Sequence, residues 1–452
     1  MGCTRNLSKI WAELAVLIGI STFLFPPPVW AAFASQFSFA ASEGYSDNIF
    51  FSKDKEHDFF TVFTPKLTLL YAPPGQAVPT LNLDMSTSGE IFARHSGLSN
   101  FGKNVSVSGA YTYQYSPRLN LYLSDGFRRL GQTRTGGLGS SFQSAPTSPP
   151  GAVPSLRGSS NLSDLVSRGD QLSNSISFQG SYLYRPNISF TGGYSNQFVS
   201  FIDAGGTDVF HTVSFRGIYN WMQEHNLHAG YSISINRSRN GDSGVIHNFD
   251  FGDDYFTNYN IQLTPTLSLA ASTGLSVNTG SGGPRVANNT SITVTKLWET
   301  AQLNAGVRKE LTPSFGISGV SDTTSFFTNF NWRITEKFST NSNLNFSMYD
   351  TKDVNFKTFQ AGFGLQYAFN SWLSSGLAYY RNWIDAGAGA TSTDLLSKGI
   401  VSSNNVFLFL TTRFDLWPSA GLARSLSAPS LAPVITTPFP APSRTPSSPS
   451  LN

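Results

Sequence analysis

Charge is scarce in this chain. Lys, Arg, Asp and Glu make up only 13% of its 452 residues, about half the share of roughly 25% usual in globular proteins. The net charge is only +3 and no basic run occurs, which argues against nucleic acid as a partner. Cysteine is almost missing: Cys3 is the single one, so the chain can form no internal disulfide. Histidine is limited to His57, His95, His211, His225, His228 and His247. Only His225 and His228 are close in sequence. Three apart on a strand they point to opposite faces, so they are not expected to share a metal. The acidic groups Asp253-Asp254 and Asp47 with Asp54 lack the spacing of a calcium loop. No Gly-x-Ser-x-Gly elbow is present. A Ser-His-acid set scattered over separate strands is the one enzymatic arrangement such a sequence can hide. The expectation is therefore no enzyme, no cofactor and no metal.

Long apolar runs are missing too, except at the start. Arg5 and Lys9 precede Ile10 to Phe25, apolar apart from Glu13, Ser21 and Thr22. Pro26-Pro27-Pro28 then breaks the run, and Ala32-Phe33-Ala34 supplies the small residues a signal peptidase needs. Residues 1–34 are expected to be a signal peptide cut before Ser35. Cys3 lies ahead of the apolar region, which is the wrong place for a lipid-acceptor cysteine. Beyond residue 34 no stretch approaches the roughly 18 apolar residues of a membrane helix.

What is abundant is aromatic and small. Phe, Trp and Tyr reach 14%, with 37 Phe, 17 Tyr and 40 Gly, while mean hydropathy stays at −0.14. These residues alternate. Phe359, Ala361, Phe363, Leu365, Tyr367 and Phe369 are separated by polar or small residues. Leu267 to Val277 and Leu227 to Ile235 repeat the pattern. Successive side chains of a strand point to opposite faces, so each run makes one apolar and one polar surface.

Short and long connections also alternate. Ser116-Pro117-Arg118, Arg185-Pro186-Asn187, Thr264-Pro265-Thr266, Thr335-Glu336-Lys337 and Asn370-Ser371 mark short turns. The long connections are 93–101, 130–170, 201–208, 239–246, 279–286 and 384–402. Short periplasmic turns opposite long outer loops mark outer-membrane barrels. Aromatics collect beside the short turns at Tyr113, Tyr115, Tyr182, Tyr184, Tyr219, Trp221, Trp298, Trp332, Tyr367 and Phe369, as an interfacial girdle would.

The fold expected is all-β: a transmembrane antiparallel up-and-down β-barrel of about 18 strands, within 16–18, over residues 35–417. The least regular stretches are 59–72, which contains Pro65, and the surroundings of Asp253-Asp254. Lys296 falls on the lipid face, beside Trp298 near a turn from which it can snorkel. Val406 to Trp417 is similar to the aromatic-ended closing strand that the barrel-assembly machinery reads. Residues 418–452, rich in Pro, Ser and Ala, are expected to form a disordered periplasmic tail.

The face opposite the lipid is polar and mostly neutral. Its expected pore-lining residues include Asp84, Glu90, Arg216, Gln302, Asn304, Arg308, Arg333, Gln360 and Gln366. Such a lumen passes hydrophilic solutes by hydration. Its arginines imply an anion preference unless acids pair with them. Tyr122, Phe256 and Phe327 are the large aromatics to inspect for a plugged interior.

The opening Gly44-Tyr45-Ser46-Asp47-Asn48-Ile49-Phe50-Phe51, followed by a charged loop and by Phe59 to Tyr71 with Thr64-Pro65-Lys66-Leu67, resembles that of an outer-membrane β-barrel porin family associated with exopolysaccharide and exosortase systems. The local match covers about thirty residues. The resemblance implies location in the bacterial outer membrane. The partners expected there are its lipids and lipopolysaccharide, the barrel-assembly machinery and components of polysaccharide export. It carries over no functional residues. The function expected is passive passage of hydrophilic solutes, with a link to exopolysaccharide export. The alternatives are a structural or adhesive display barrel plugged by its loops, including 130–170 and 384–402, and an outer-membrane hydrolase.

Overall fold

The computed structural model describes residues 32–73, 80–131, 170–202, 205–222, 225–238, 243–257, 267–279, 284–313, 320–351, 355–386 and 399–417. Eighteen strands form one sheet. They are β1 (Ala32–Ser46), β2 (Asp58–Ala72), β3 (Leu81–Phe92), β4 (Asn100–Ser116), β5 (Leu119–Leu130), β6 (Gln171–Arg185), β7 (Ile188–Phe201), β8 (Thr207–Met222) and β9 (His225–Arg237). The second half comprises β10 (Ser243–Thr257), β11 (Leu267–Asn278), β12 (Arg285–Leu297), β13 (Ala301–Pro313), β14 (Val320–Arg333), β15 (Phe338–Asp350), β16 (Asn355–Ala368), β17 (Leu373–Ala386) and β18 (Gly399–Trp417). Each strand pairs antiparallel with its sequence neighbour, and β1 pairs with β18, so the sheet closes on itself. Closure removes every sheet edge, which lipid cannot satisfy. Among the described residues no helix is long and apolar enough to cross a membrane.

The strand count is the upper end of the expected range. β1 starts and β18 ends on the same side as the two-residue turns 117–118 and 186–187. Segments 1–31, 132–169, 387–398 and 418–452 lie outside the described residues, and so does the Thr264-Pro265-Thr266 turn. The expected signal peptide up to residue 31, the body of the 130–170 loop and the expected tail fall on these segments. The β1–β18 ladder begins at Ser35 opposite Trp417, so a cut before Ser35 would leave the closing seam whole.

Both irregular stretches are strands. Pro65 lies inside β2 opposite Phe39 of β1. On the β3 side the ladder passes from Phe63–Gly89 to Lys66–Ser86, as a residue with no N–H requires. Asp253 and Asp254 continue β10, paired with β9 and β11.

Alternation sorts the side chains as the sequence implies. Phe215, Phe249, Leu275 and Leu408 are each more than half exposed, and they point outward. Every girdle aromatic, from Tyr113 to Phe369, is also exposed. A band of apolar side chains this large has lipid as its natural solvent. Lys296 sits on this face with its ammonium 5.0 Å from the centre of the Trp298 ring, a cation–π contact at the interface. A second tier lies nearer the long loops. Tyr194 hydrogen-bonds His211 at 3.0 Å and Tyr231 hydrogen-bonds His247 at 2.8 Å.

The largest cluster of buried apolar residues sits inside the wall, at the loop end. Phe60 of β2 packs against Phe92 of β3 and Phe407 of β18, both with ring centres at 5.5 Å. Tyr380 of β17 meets Phe407 edge-on. Gly44 makes room: a Cβ there would fall 2.6 Å from the Phe60 ring. A smaller cluster joins Ile246, Ala287 and Leu311, with Val320 against it. There the β12–β13 ladder stops at Thr290–Lys309. Arg285 of β12 reaches the Asp350 carboxylate of β15 at 3.1 Å.

Candidate channel lumen

The inner face is built from every second residue of every strand. Asp84, Arg216, Gln302, Asn304, Arg308, Arg333, Gln360 and Gln366 all share it, as pairing with other inward positions shows. Glu90 shares the face but not the water. It is fully buried, and its carboxylate accepts a hydrogen bond from Asn104 Nδ2 at 3.0 Å. The β3–β4 bulge at Ser88/Gly89 brings Asn104 alongside. This residue is part of the wall's structure rather than of an open lining. Tyr122 and Phe327 point inward, opposite Gln179 and Gly306. The side chain of Phe256 lies outside the described residues.

Three of the inward cations, Lys66, Arg216 and Arg308, are partnered by acids. Arg216 Nη2 lies 2.9 Å from Asp250 Oδ2. Arg216, Gly230 and Asp250 form one row across β8, β9 and β10. A Cβ at Gly230 would stand 2.4 Å from Asp250 Oδ1, so the missing side chain lets the pair meet across the middle strand. Lys66 lies 3.0 Å from Asp84 and Arg308 lies 3.4 Å from Glu310. The charge of Arg216 and Arg308 is thus largely neutralised in place, the case in which the arginines confer little anion preference. Sequence reading missed these pairs because their members lie on different strands or next to acids that were not singled out.

His225 and His228 diverge as expected. His225 meets Asp253, whereas the inward His228 lies 3.7 Å from Asp250. Among the described residues no group of His, Cys, Asp and Glu is placed to hold a metal ion.

The mouth is shaped by the first loop, 47–57, which folds onto the inner wall. Asp47 Oδ1 accepts the backbone N–H of Asn404 at 2.6 Å, and Oδ2 accepts Asn404 Nδ2 at 2.8 Å and Lys55 Nζ at 3.0 Å. Burial pushes the Asp47 carboxyl up, but these hydrogen bonds outweigh it and hold the group below its ordinary value. Asn48 Nδ2 donates to the carbonyls of Ser402 and Ser52 at 2.9 and 2.7 Å. Its Oδ1 accepts the Ser52 N–H at 3.0 Å. The turn so closed holds Phe51 at φ 47, a costly conformation for a bulky residue, and drives Ile49 into the aromatic cluster. The Asp47-Asn48-Ile49 stretch thus fastens the first loop to the last strand.

The second loop, 93–99, is fastened to the first through Asp58. Its fully buried carboxylate accepts the backbone N–H groups of Phe59, Arg94 and His95 at 2.8, 3.0 and 2.9 Å. It also meets His95 Nδ1 at 2.9 Å, while His95 Nε2 meets Glu56 at 2.9 Å. His57 and Arg94 contact each other beside this set. The hydrogen bond to Asp58 raises the His95 imidazole above its ordinary value of 6.5, against burial and with help from Glu56. A raised folded-state pKa stabilises fully below the unfolded value and loses its effect as pH climbs through the folded one. The clasp should therefore be tightest below about pH 6.5 and loosen above it. Amide hydrogen exchange across 93–99 should rise with pH beyond the intrinsic chemical trend. His95→Gln should flatten that excess, and an unchanged excess in the variant would exclude His95 as its source.

No protein-family model and no curated protein sequence matches the chain. Solved structures do match in outline. Pseudomonas aeruginosa OccK2 (OpdF) aligns with a TM-score of 0.47 and 10% identity, over 85% of this chain and 98% of that one. Its complex with glucuronate gives 0.46 and 9%, with the same coverage. Acinetobacter baumannii OccAB3 gives 0.42 and 12%, over 84% and 99%.

Proposed function

We propose that this barrel sits in a bacterial outer membrane and lets hydrophilic solutes cross it passively. One observation carries the reading. Eighteen strands close into a single barrel whose outer face is apolar and whose inner face is lined with amides, hydroxyls and paired charges. A barrel of about this strand number encloses an aqueous channel, and neutral hydrogen-bonding walls hold water without committing to one ion. The loop 47–57 narrows the mouth from one side by lying on β2, β3, β17 and β18. A link to polysaccharide export, and partners from such a system, belong to the same proposal; their support is the sequence resemblance around residues 44–71.

Planar-bilayer recording tests it. The purified protein should give stable conductance steps that scale with salt. Because Lys66, Arg216 and Arg308 are paired with acids, the reversal potential in a salt gradient should stay near that of unselective diffusion. Asp250→Asn unmasks Arg216 and should shift reversal toward anions. Silence from protein shown to be folded and inserted would favour a barrel closed by its loops.

A further inference from the structure

The amides of the inner wall are not spread evenly. On β13, β14 and β15 they stand in register. Gln302 is opposite Asn331, which is opposite Asn341. One step further from the short turns, Asn304 is opposite Asn329, which is opposite Asn343. The next row adds an aromatic: Phe327 is opposite Asn345, which is opposite Gln360 of β16. Facing positions in a sheet stand about 4.5–5.5 Å apart, and successive rows follow at roughly twice the strand rise. The result is a lattice of facing amide donors and acceptors.

Glycines on β13 and β16 set how these groups lie. A Cβ at Gly306 would fall 2.6 Å from Phe327 Cζ, and a Cβ at Gly362 would fall 2.1 Å from Asn343 Oδ1. The ring and the amide each lie across a bare backbone, along the wall and not across the lumen. Asn329, Asn331 and Asn343 are exposed. None of these three makes a side-chain hydrogen bond within the described residues, and Asn304 Oδ1 is buried without a partner there. The hydroxyl-rich parts of the wall differ. Ser124 and Ser177 satisfy each other at 2.6 Å, and so do Thr212 and Ser234 at 3.0 Å.

We propose that this patch is a binding subsite for uncharged saccharides inside the barrel. A primary amide offers a donor pair and an acceptor in one plane. That matches vicinal hydroxyls, each both donor and acceptor, and it confers no preference for charge. Phe327 supplies a flat apolar surface for the C–H face of a sugar ring beside the amides. Repetition of the rows suits a chain of sugars better than a single one. The proposal rests on the channel reading, because the patch is useful only if solute reaches it.

Maltohexaose is the probe, and two readouts keep the two readings apart. Calorimetric titration of the protein in detergent micelles needs no conduction. Bilayer recording measures how long the sugar interrupts the current. Asn329→Ser with Asn343→Ser shortens two amides to hydroxyls and should lower affinity, and dwell time with it, about tenfold. Phe327→Ala should weaken binding severalfold, while Phe327→Tyr should retain it. Interruptions by polyethylene glycol of similar size should not change. Equal binding by wild type and the double variant overturns the subsite, and so does a stronger response to triglycine than to the sugar. Binding without conductance would leave the subsite and remove the channel. Conductance without binding would do the reverse.

Discussion

Phe363→Arg should destabilise the folded barrel by about 2–4 kcal/mol, while Gln360→Arg, three residues away on the same strand, should cost within about 1 kcal/mol. Phe363 lies in the middle part of β16, opposite Ser342 of β15 and Tyr379 of β17, and it is 46% exposed without lipid around it. Its face is the apolar one, so a guanidinium there must enter hydrocarbon or drag water and headgroups inward. Gln360 sits opposite Asn345 and Asn382 on the other face, where a new cation meets amides and water. Guanidinium unfolding of protein reconstituted in lipid vesicles separates the two. Equal costs, or a larger cost at Gln360, would mean that the faces are assigned the wrong way round. Vesicles are essential, because in micelles detergent follows the side chain more readily than a bilayer does.

The faces were legible from the sequence because strand periodicity is a local property. Phe359, Ala361, Phe363 and Leu365 alternate with polar neighbours whatever they pair with, and the turns at 117–118 and 186–187 carry their own proline signals. Strand number and the location of the lining residues followed from the same pattern. What the sequence did not disclose is long-range. Asp47 and Asn48 read as ordinary loop polars, yet their partners Asn404 and Ser402 lie more than 350 residues away. Glu90 alternates like a lumen residue, and only the bulge that brings Asn104 alongside buries it. Arg216 looks like an unpaired cation until register sets Gly230 between it and Asp250. A search for arginine, glycine and acid at matching heights on three successive strands could have found that row. The amide rows of β13 to β15 needed register as well, since each strand alone shows only scattered asparagines.

Asp58→Ala should have the largest effect on the mouth, and its effect should be confined there. The carboxylate is wholly buried and accepts three backbone N–H groups and the His95 ring. Removing it leaves the Arg94 and His95 donors with no acceptor where water has little access. Losing the acceptor of such a set costs on the order of 3–5 kcal/mol, more than a surface loop retains by its other contacts. The β1–β2 and β2–β3 ladders below it are untouched, because Asp58 is the first residue of its strand. The expected result is therefore local opening of 93–99 without barrel unfolding. Trypsin should cut the folded variant at Arg94 much faster than wild type, while the unfolding midpoint in vesicles moves little. Asp58→Asn keeps one acceptor oxygen and should fall between the two. Equal cleavage of all three proteins would mean that the second loop is held by something other than this carboxylate. A large fall in the midpoint would mean that the mouth and the barrel unfold as one unit. The confined outcome fits the division of labour in this fold, where ladder hydrogen bonds hold the wall and a few buried side-chain anchors decide how far the first two loops lean over the opening.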